Sequence, residues 1–165
     1  MGQKEFSFKY SELADISLLP ADEQELVRIS RDMTHQSYAP YSTFHVGAAI
    51  LLDNGEIIRG SNQENGAYPS GLCAERVAAF AASAHHPGVG MRKIAVSARS
   101  LKVSMPMPVT PCGACRQVLL EYETTQKQPM KIILSKEDGK ILILESISDL
   151  LPLFFSGNEL KKDKN

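Results

Sequence analysis

The sequences Leu72-Cys73-Ala74-Glu75-Arg76 and Pro111-Cys112-Gly113-Ala114-Cys115 contain all three cysteines of the chain, and a helix is predicted to begin in each. Cys112 and Cys115 are three residues apart at a helix start, so both sulfur atoms can reach one ion. Cys73 can supply a third thiolate from the neighbouring helix. Zinc suits sulfur ligands, and three protein ligands with one open position are typical of catalytic zinc. We therefore predict that these three thiolates bind one Zn²⁺ per chain.

The same cysteines allow two other interpretations. A Cys-x-x-Cys pair at a helix start is also typical of thioredoxin-like redox proteins. The additional Cys73 and the absence of tryptophan argue against that interpretation. A closed structural zinc site would need a histidine as the fourth ligand. His85 and His86 are too far from Cys73, since twelve helical residues span roughly 18 Å, but His35 and His45 can still be considered.

Glu75 is the predicted catalytic residue, a carboxylate that moves protons beside the metal. Residues i and i+2 do not share a helix face, so Cys73 must cap the helix with non-helical backbone angles if Glu75 is to reach the same site. The alternative is an acid that stabilises the helix N-terminus. Arg76 is predicted to contact a ligand sulfur rather than the metal. A guanidinium that donates a hydrogen bond to sulfur offsets the net negative charge of three thiolates on Zn²⁺. A surface or inter-subunit salt bridge is the alternative for Arg76.

Outward from the two motifs, the apolar pattern predicts alternating helices and strands. A helix is expected from Pro20, and a hairpin is expected around Asp53-Asn54-Gly55. A buried strand is expected at 94–98, between the motifs. After the second motif we expect a hairpin around Glu137-Asp138-Gly139 and a short helix near 147–151. This order predicts an α/β fold with a mixed five-stranded sheet and helices on both faces.

The two cysteine motifs begin the helices that cross over between strands of this sheet. In such sheets, sites form at the C-terminal ends of the strands, where helix N-termini point. The partial positive charge of a helix N-terminus also favours the thiolate form of cysteine. The fold and the thiol chemistry thus predict the same location for the site.

Length and composition predict a single domain. The chain has 165 residues, of which 43% are apolar, enough for a single hydrophobic core. We assign residues 20–160 to this domain and residues 161–165 to a solvated tail. Residues 1–19 are interpreted as an N-terminal arm or an extra edge strand, because residues 5–10 alternate between apolar and polar side chains.

The charge balance and the hydropathy exclude several partners. The chain carries 18 basic and 19 acidic side chains without a long run of one sign, so nucleic acid is not an expected partner. No stretch approaches the roughly 20 apolar residues needed to span a bilayer, and no signal-peptide core is found at the N-terminus. An odd number of cysteines argues against a secreted disulfide scaffold. We therefore expect a cytoplasmic protein that interacts with no membrane.

Four segments make the chain similar to the small, zinc-dependent cytidine deaminases. Residues 40–49 resemble the first substrate-side segment of that family, and residues 62–65 match its Asn-x-Glu-Asn ribose motif. Residues 68–76 and 111–117 match its two zinc motifs. The number and order of these matches make the resemblance specific.

The resemblance implies a three-layer fold and a hydrolytic enzyme. The implied reaction converts cytidine and deoxycytidine to uridine and deoxyuridine with release of ammonia, as in pyrimidine salvage. A homotetramer, or else a dimer, is the implied assembly. Two alternatives remain: a deaminase of a related aminopyrimidine nucleoside or antibiotic, and a zinc-stabilised nucleoside-binding module without catalysis.

The resemblance also assigns substrate contacts. Asn62 and Glu64 are two residues apart at a strand end, so they point the same way, and they are expected to bind a ribose hydroxyl. Phe44 is expected to lie against the pyrimidine ring. Tyr68 and Ala74 are further expected substrate contacts. Phe155 is expected to contribute to its own pocket or to a neighbouring subunit's pocket, or else to pack under the C-terminal helix.

Overall fold

The computed structural model describes residues 2–100, 102–137 and 139–160, so the predicted tail at 161–165 lies outside the described residues. Its sheet has the strand order β1-β6-β5-β4-β2-β3. The strands are β1 (Ser11–Leu13), β2 (Phe44–Leu52), β3 (Ile57–Ser61), β4 (Met91–Ser100), β5 (Lys131–Lys136) and β6 (Ile141–Leu144). The helices are α1 (Ala21–Thr34), α2 (Ala74–His85) and α3 (Gly113–Gln126).

The predicted α/β class is confirmed, but the sheet has six strands rather than five. The additional strand is β1, which pairs antiparallel with β6 in the register Leu13↔Ile141 and Ser11↔Ile143. It lies within residues 1–19, interpreted as an arm or an extra edge strand, but it follows the alternating segment 5–10 that suggested a strand. The reason is the length of the partner: β6 ends at Leu144, so the edge offers no pairing positions for residues before about Tyr10.

The layers on the two faces follow from the apolar patterns of the helices. Helix α1 buries one stripe, which includes Leu26 and Met33, against Ala49 and Ile133 of the sheet. Helices α2 and α3 cover the opposite face. Helix α2 lies very close to β3, since a Cβ atom added to Gly60 would lie 2.5 Å from the carbonyl oxygen of Ala74.

The strand directions bring the starts of α2 and α3 to one edge of the sheet. Strands β3 and β4 both run antiparallel to β2, which lies between them, and β4 and β5 are parallel. Helices α2 and α3 are therefore crossovers, and each begins beyond the C-terminal end of a strand. Within the described ranges, the structure has no helix whose length and apolar character would allow it to span a membrane.

Candidate active site

Cys73 and Cys112 are both N-cap residues, of α2 and α3 respectively. Their backbones are extended, with φ −70° and ψ 154° at Cys73 and φ −66° and ψ 164° at Cys112. Cys73 thus has the non-helical geometry that the sequence required if Glu75 was to reach the metal site. Cys115 lies in the first turn of α3 and is buried.

The three sulfur atoms form one compact cluster. The Sγ atoms of Cys73 and Cys112 are 3.9 Å apart, and those of Cys112 and Cys115 are 3.5 Å apart. All three lie within 4.8 Å of one another. Zinc–sulfur bonds of roughly 2.3 Å in a tetrahedral site separate the sulfurs by about 3.8 Å. The donor set therefore fits a zinc ion with three protein ligands and one further coordination position.

The protonation of the thiols couples metal binding to pH. Hydrogen bonding by Cys115 and by the Arg76 guanidinium lowers the pKa of Cys73 to about 5. The pKa of Cys115 is raised, because its thiol hydrogen-bonds Cys73 and is buried. Binding of a cation must therefore displace the proton of Cys115. Arg76 lies beside the cluster, with Nη2 3.9 Å from Cys73 Sγ and 3.4 Å from the carbonyl oxygen of Gly71.

Glu75 is a buried carboxylate with an unused acceptor. Its side chain is almost inaccessible, and Oε2 has no hydrogen-bond partner among the described residues. Burial, followed by the negative charge of Cys73, raises the pKa of Glu75. A buried carboxylate oxygen without a partner is costly, so a ligand that donates a hydrogen bond is the expected occupant of the space beside it.

A cavity of about 640 Å³ connects the cysteine cluster with the ends of β2 and β3. Seven of the predicted site residues line it: Phe44, Asn62, Glu64, Tyr68, Cys73, Glu75 and Cys112. The other four do not. Ala74 and Cys115 are fully buried behind its wall, and Arg76 is partly buried beside Cys73. Phe155 is 65% exposed outside the cavity, and its carbonyl accepts a hydrogen bond from Gln117 Nε2 at 3.0 Å.

Asn62 joins the end of β3 to the start of β2. Its Nδ2 donates to the carbonyl oxygen of Phe44 at 2.9 Å, and its Oδ1 accepts from the backbone N–H of Val46 at 2.7 Å. The amide still has one N–H for a ligand. Asn62 therefore fixes the backbone that carries Phe44, a role that the sequence did not predict.

Glu64 is held by two consecutive residues in the turn before β2. Its Oε2 accepts from the backbone N–H groups of Tyr41 at 2.8 Å and Ser42 at 3.3 Å, and its Oε1 accepts from the Ser42 hydroxyl. The Ser42 hydroxyl is the main reason that the pKa of Glu64 is lowered. Ser42 was not among the predicted site residues, although it lies in the segment 40–49 whose resemblance indicated the substrate side; its spacing alone gives no role to its hydroxyl.

Residues 20–129 match the family model described as the cytidine and deoxycytidylate deaminase zinc-binding region. The chain belongs to this family. The match includes both cysteine motifs and the residues that form the cavity, so the zinc-binding deaminase family and the cysteine geometry agree on the cofactor.

Two curated deaminases and one solved structure illustrate the similarity. A cytidine deaminase of Halalkalibacterium halodurans is 37% identical over 84% of this chain and 98% of that protein. A cytidine deaminase of Sporosarcina psychrophila is 38% identical over 84% of this chain and 95% of that protein. The crystal structure of cytidine deaminase from Burkholderia pseudomallei superposes with a TM-score of 0.70 and 37% identity, covering 79% of this chain and 97% of that one.

Proposed function

We propose that this deaminase-family protein converts cytidine and deoxycytidine to uridine and deoxyuridine by hydrolysis, with release of ammonia. The observation that carries the proposal is the buried Glu75 carboxylate. Its Oε2 has no hydrogen-bond partner within the part of the chain that the structure describes, and Glu75 lines the same cavity as Cys73 and Cys112. A protein that only binds nucleosides needs no carboxylate of this kind. The similarity to curated cytidine deaminases supports the same reaction.

Glu75 carries the proton transfers in this proposal. The chemistry that zinc supplies, when Cys73, Cys112 and Cys115 hold it, is the ionisation of water near neutral pH. Glu75 accepts the proton that the water loses and passes it to N3 of the pyrimidine ring while oxygen adds at C4. Glu75 then takes the proton of the hydroxyl group formed at C4 and gives it to the amino group, which leaves as ammonia as the C4–N bond breaks and the C4 carbonyl forms. Burial raises the pKa of Glu75 toward the working pH, as a group that accepts and returns a proton requires.

The sugar and the ring have separate binding groups. Phe44 lies at the start of β2 and lines the cavity, where its ring can contact the pyrimidine face. Glu64 is ionised at neutral pH and is suited to accept a hydrogen bond from a sugar hydroxyl, and Asn62 has one N–H left to donate. A site built around a hydroxyl should reject analogues that lack it.

We also propose a homotetramer in the cytoplasm. Exposed apolar side chains near the C-terminus, Leu153, Phe155 and Leu160, support burial against another subunit. Phe155 is then available to a neighbouring cavity rather than to its own. Zinc ligation by three reduced thiolates supports a reducing compartment.

The experiment that tests the activity is a substrate panel on zinc-loaded protein. Ammonia release is measured with cytidine, deoxycytidine, their 5′-phosphates, free cytosine and an aminopyrimidine nucleoside antibiotic. We expect turnover of the two nucleosides and little or none of free cytosine. Stoichiometric zinc without turnover of either nucleoside would refute the proposal, and a strong preference for the antibiotic would replace it with the alternative substrate. Sedimentation of the same sample tests the tetramer.

A further inference from the structure

Ser42 connects two parts of the cavity that the sequence treats separately. Its hydroxyl donates to Glu64 Oε1, and the same oxygen atom accepts a hydrogen bond from the backbone N–H of Phe44 at 3.0 Å. One side chain therefore contacts both the carboxylate assigned to the sugar and the backbone of the residue assigned to the ring. We propose that Ser42 is a positioning residue that sets the specificity of the site for a sugar hydroxyl. This inference rests on the proposed function.

The hydrogen bonds to Glu64 limit what else this carboxylate can accept. A carboxylate has about four acceptor positions. Ser42 and Tyr41 fill three of them, through two backbone N–H groups and one hydroxyl. About one position is left, and Glu64 lines the cavity. The Glu64 carboxylate is thus suited to accept one hydrogen bond, from a single hydroxyl group in a fixed direction.

The backbone between Ser42 and Phe44 is held in an unfavourable conformation. Thr43 has φ 56°, a left-handed value that is a genuine outlier for a β-branched residue. Its N–H donates to the carbonyl oxygen of Ala39 at 3.1 Å, and its hydroxyl donates to the carbonyl oxygen of Ser42 at 2.6 Å. Such outliers persist where the surroundings impose them, often at binding sites. Here the reversal at Thr43 lets Ser42 turn back to Glu64 while Phe44 enters β2 and lines the cavity.

Two side chains, those of Asn62 and Glu64, tie the turn at residues 41–44 to the segment that follows β3. Asn62 holds the backbone of Phe44 and Val46, while Glu64, two residues further on, holds Tyr41 and Ser42. Loss of the Ser42 hydroxyl removes its hydrogen bond to Glu64 and the acceptor of the Phe44 N–H, while the two bonds that backbone N–H groups donate to Glu64 remain. The expected effect is a misdirected carboxylate on an intact fold.

The test compares Ser42→Ala and Ser42→Thr with the wild-type protein, each loaded with zinc. Values of kcat and KM are measured for cytidine, 2′-deoxycytidine, 3′-deoxycytidine and 2′,3′-dideoxycytidine. The control is Ser83→Ala, because Ser83 lies near the far end of α2 from Cys73, is exposed, and its side chain has no hydrogen bond within the described part of the chain. Thermal unfolding and zinc content are recorded for every variant.

We expect Ser42→Ala to lower kcat/KM by about tenfold or more, mainly through KM, for substrates with the hydroxyl that Glu64 accepts, as for a lost hydrogen bond to a charged group. Turnover of the analogue without that hydroxyl should not change. Ser42→Thr should restore the preference, and Ser83→Ala should match the wild type. Equal losses on all four substrates, or no loss on any, would overturn the inference.

The same comparison is made by calorimetry in the Glu75→Gln background, where binding is measured without turnover. Affinity for cytidine should fall on adding Ser42→Ala, and affinity for 2′,3′-dideoxycytidine should not. Absence of turnover in the wild type would refute the proposed function, but it would leave this binding comparison to decide the role of Ser42. A Ser42→Ala variant that binds both nucleosides as well as its parent would refute the inference alone.

Discussion

Cys73 and Cys112 occupy equivalent positions on two different helices, since each is the N-cap residue of its helix, and their Sγ atoms lie 3.9 Å apart. A single ion bound between them therefore joins the start of α2 to the start of α3. The partial positive charge of both helix ends favours thiolates at this point. The metal site thus contributes to the packing of two helices in addition to its chemistry.

Removal of zinc should destabilise the protein as well as inactivate it. A ligand present at a thousand times its dissociation constant stabilises the folded state by about 4 kcal/mol. We expect chelation to lower Tm, and Cys115→Ser to bind less zinc with a similarly lowered Tm. Thermal unfolding with parallel metal analysis checks this. Zinc should restore Tm whereas magnesium should not, because thiolates do not suit magnesium. An unchanged Tm after complete zinc loss would contradict the structural role.

The sequence predicted the metal centre better than the substrate side because the two depend on different kinds of information. The spacing of Cys112 and Cys115 on a helix is local, and the position of Cys73 follows from the crossover order. The roles of Ser42 and Asn62 depend on which groups they meet between the turn before β2 and the residues after β3, which no spacing reveals. The position of the sixth strand is limited in the same way: an extra edge strand is one of the two interpretations of residues 1–19, but its placement at Ser11–Leu13 depends on the register with β6.

Glu75→Gln separates proton transfer from metal binding. The amide nearly preserves size but cannot accept and return a proton at neutral pH. We expect zinc content and nucleoside affinity to remain, and kcat to fall by about 10²–10⁴-fold, as for loss of a general acid–base group. Steady-state kinetics with metal analysis measures both quantities. If the variant kept normal turnover, another group would have to move the protons.

The hydrogen bonds to Glu64 should make part of the stability depend on pH. The Ser42 hydroxyl lowers the pKa of Glu64 in the folded state. The stabilisation is therefore complete above the pKa of the unfolded chain, about 4.3, and is lost as the pH falls through the lower folded-state value. We expect the Tm difference between wild type and Glu64→Gln to be larger at neutral pH and to shrink below about pH 4.

Glu56→Gln is the control, because the Glu56 side chain is exposed in the β2–β3 turn and has no hydrogen bond within the described ranges. A difference that grew with acidity would contradict the assignment.

Two glutamates on α1 should differ sharply in their effect on stability. Glu23 is 2% exposed and lies 2.8 Å from Lys93 Nζ and 3.1 Å from Lys131 Nζ. Glu23→Gln leaves two partly buried ammonium groups without this partner, and we expect a loss of about 3 kcal/mol in the free energy of unfolding. Glu25 is exposed and pairs with Arg28 at 3.5 Å, so Glu25→Gln should cost about 0.5 kcal/mol. Urea unfolding of both variants checks the contrast, and equal costs would refute it.

Gly60→Ala should disturb the active site indirectly, by pushing α2 away from β3. The added Cβ would lie 2.5 Å from the Ala74 carbonyl oxygen and 2.6 Å from the Ala78 nitrogen. Both are backbone atoms, so only displacement of the helix relieves the overlap. Overpacking of this kind costs about 1–3 kcal/mol or more, and the displaced end of α2 carries Glu75.

We therefore expect Gly60→Ala to lose zinc and kcat together with Tm. Gly157→Ala is the matched control, because its added Cβ would make only ordinary contacts, the nearest at 3.4 Å from the Glu121 carboxylate. That variant should keep its metal and its Tm. Normal zinc content and turnover in Gly60→Ala would mean that α2 can move away from β3 without moving Glu75, and that the close packing at Gly60 does not position the site.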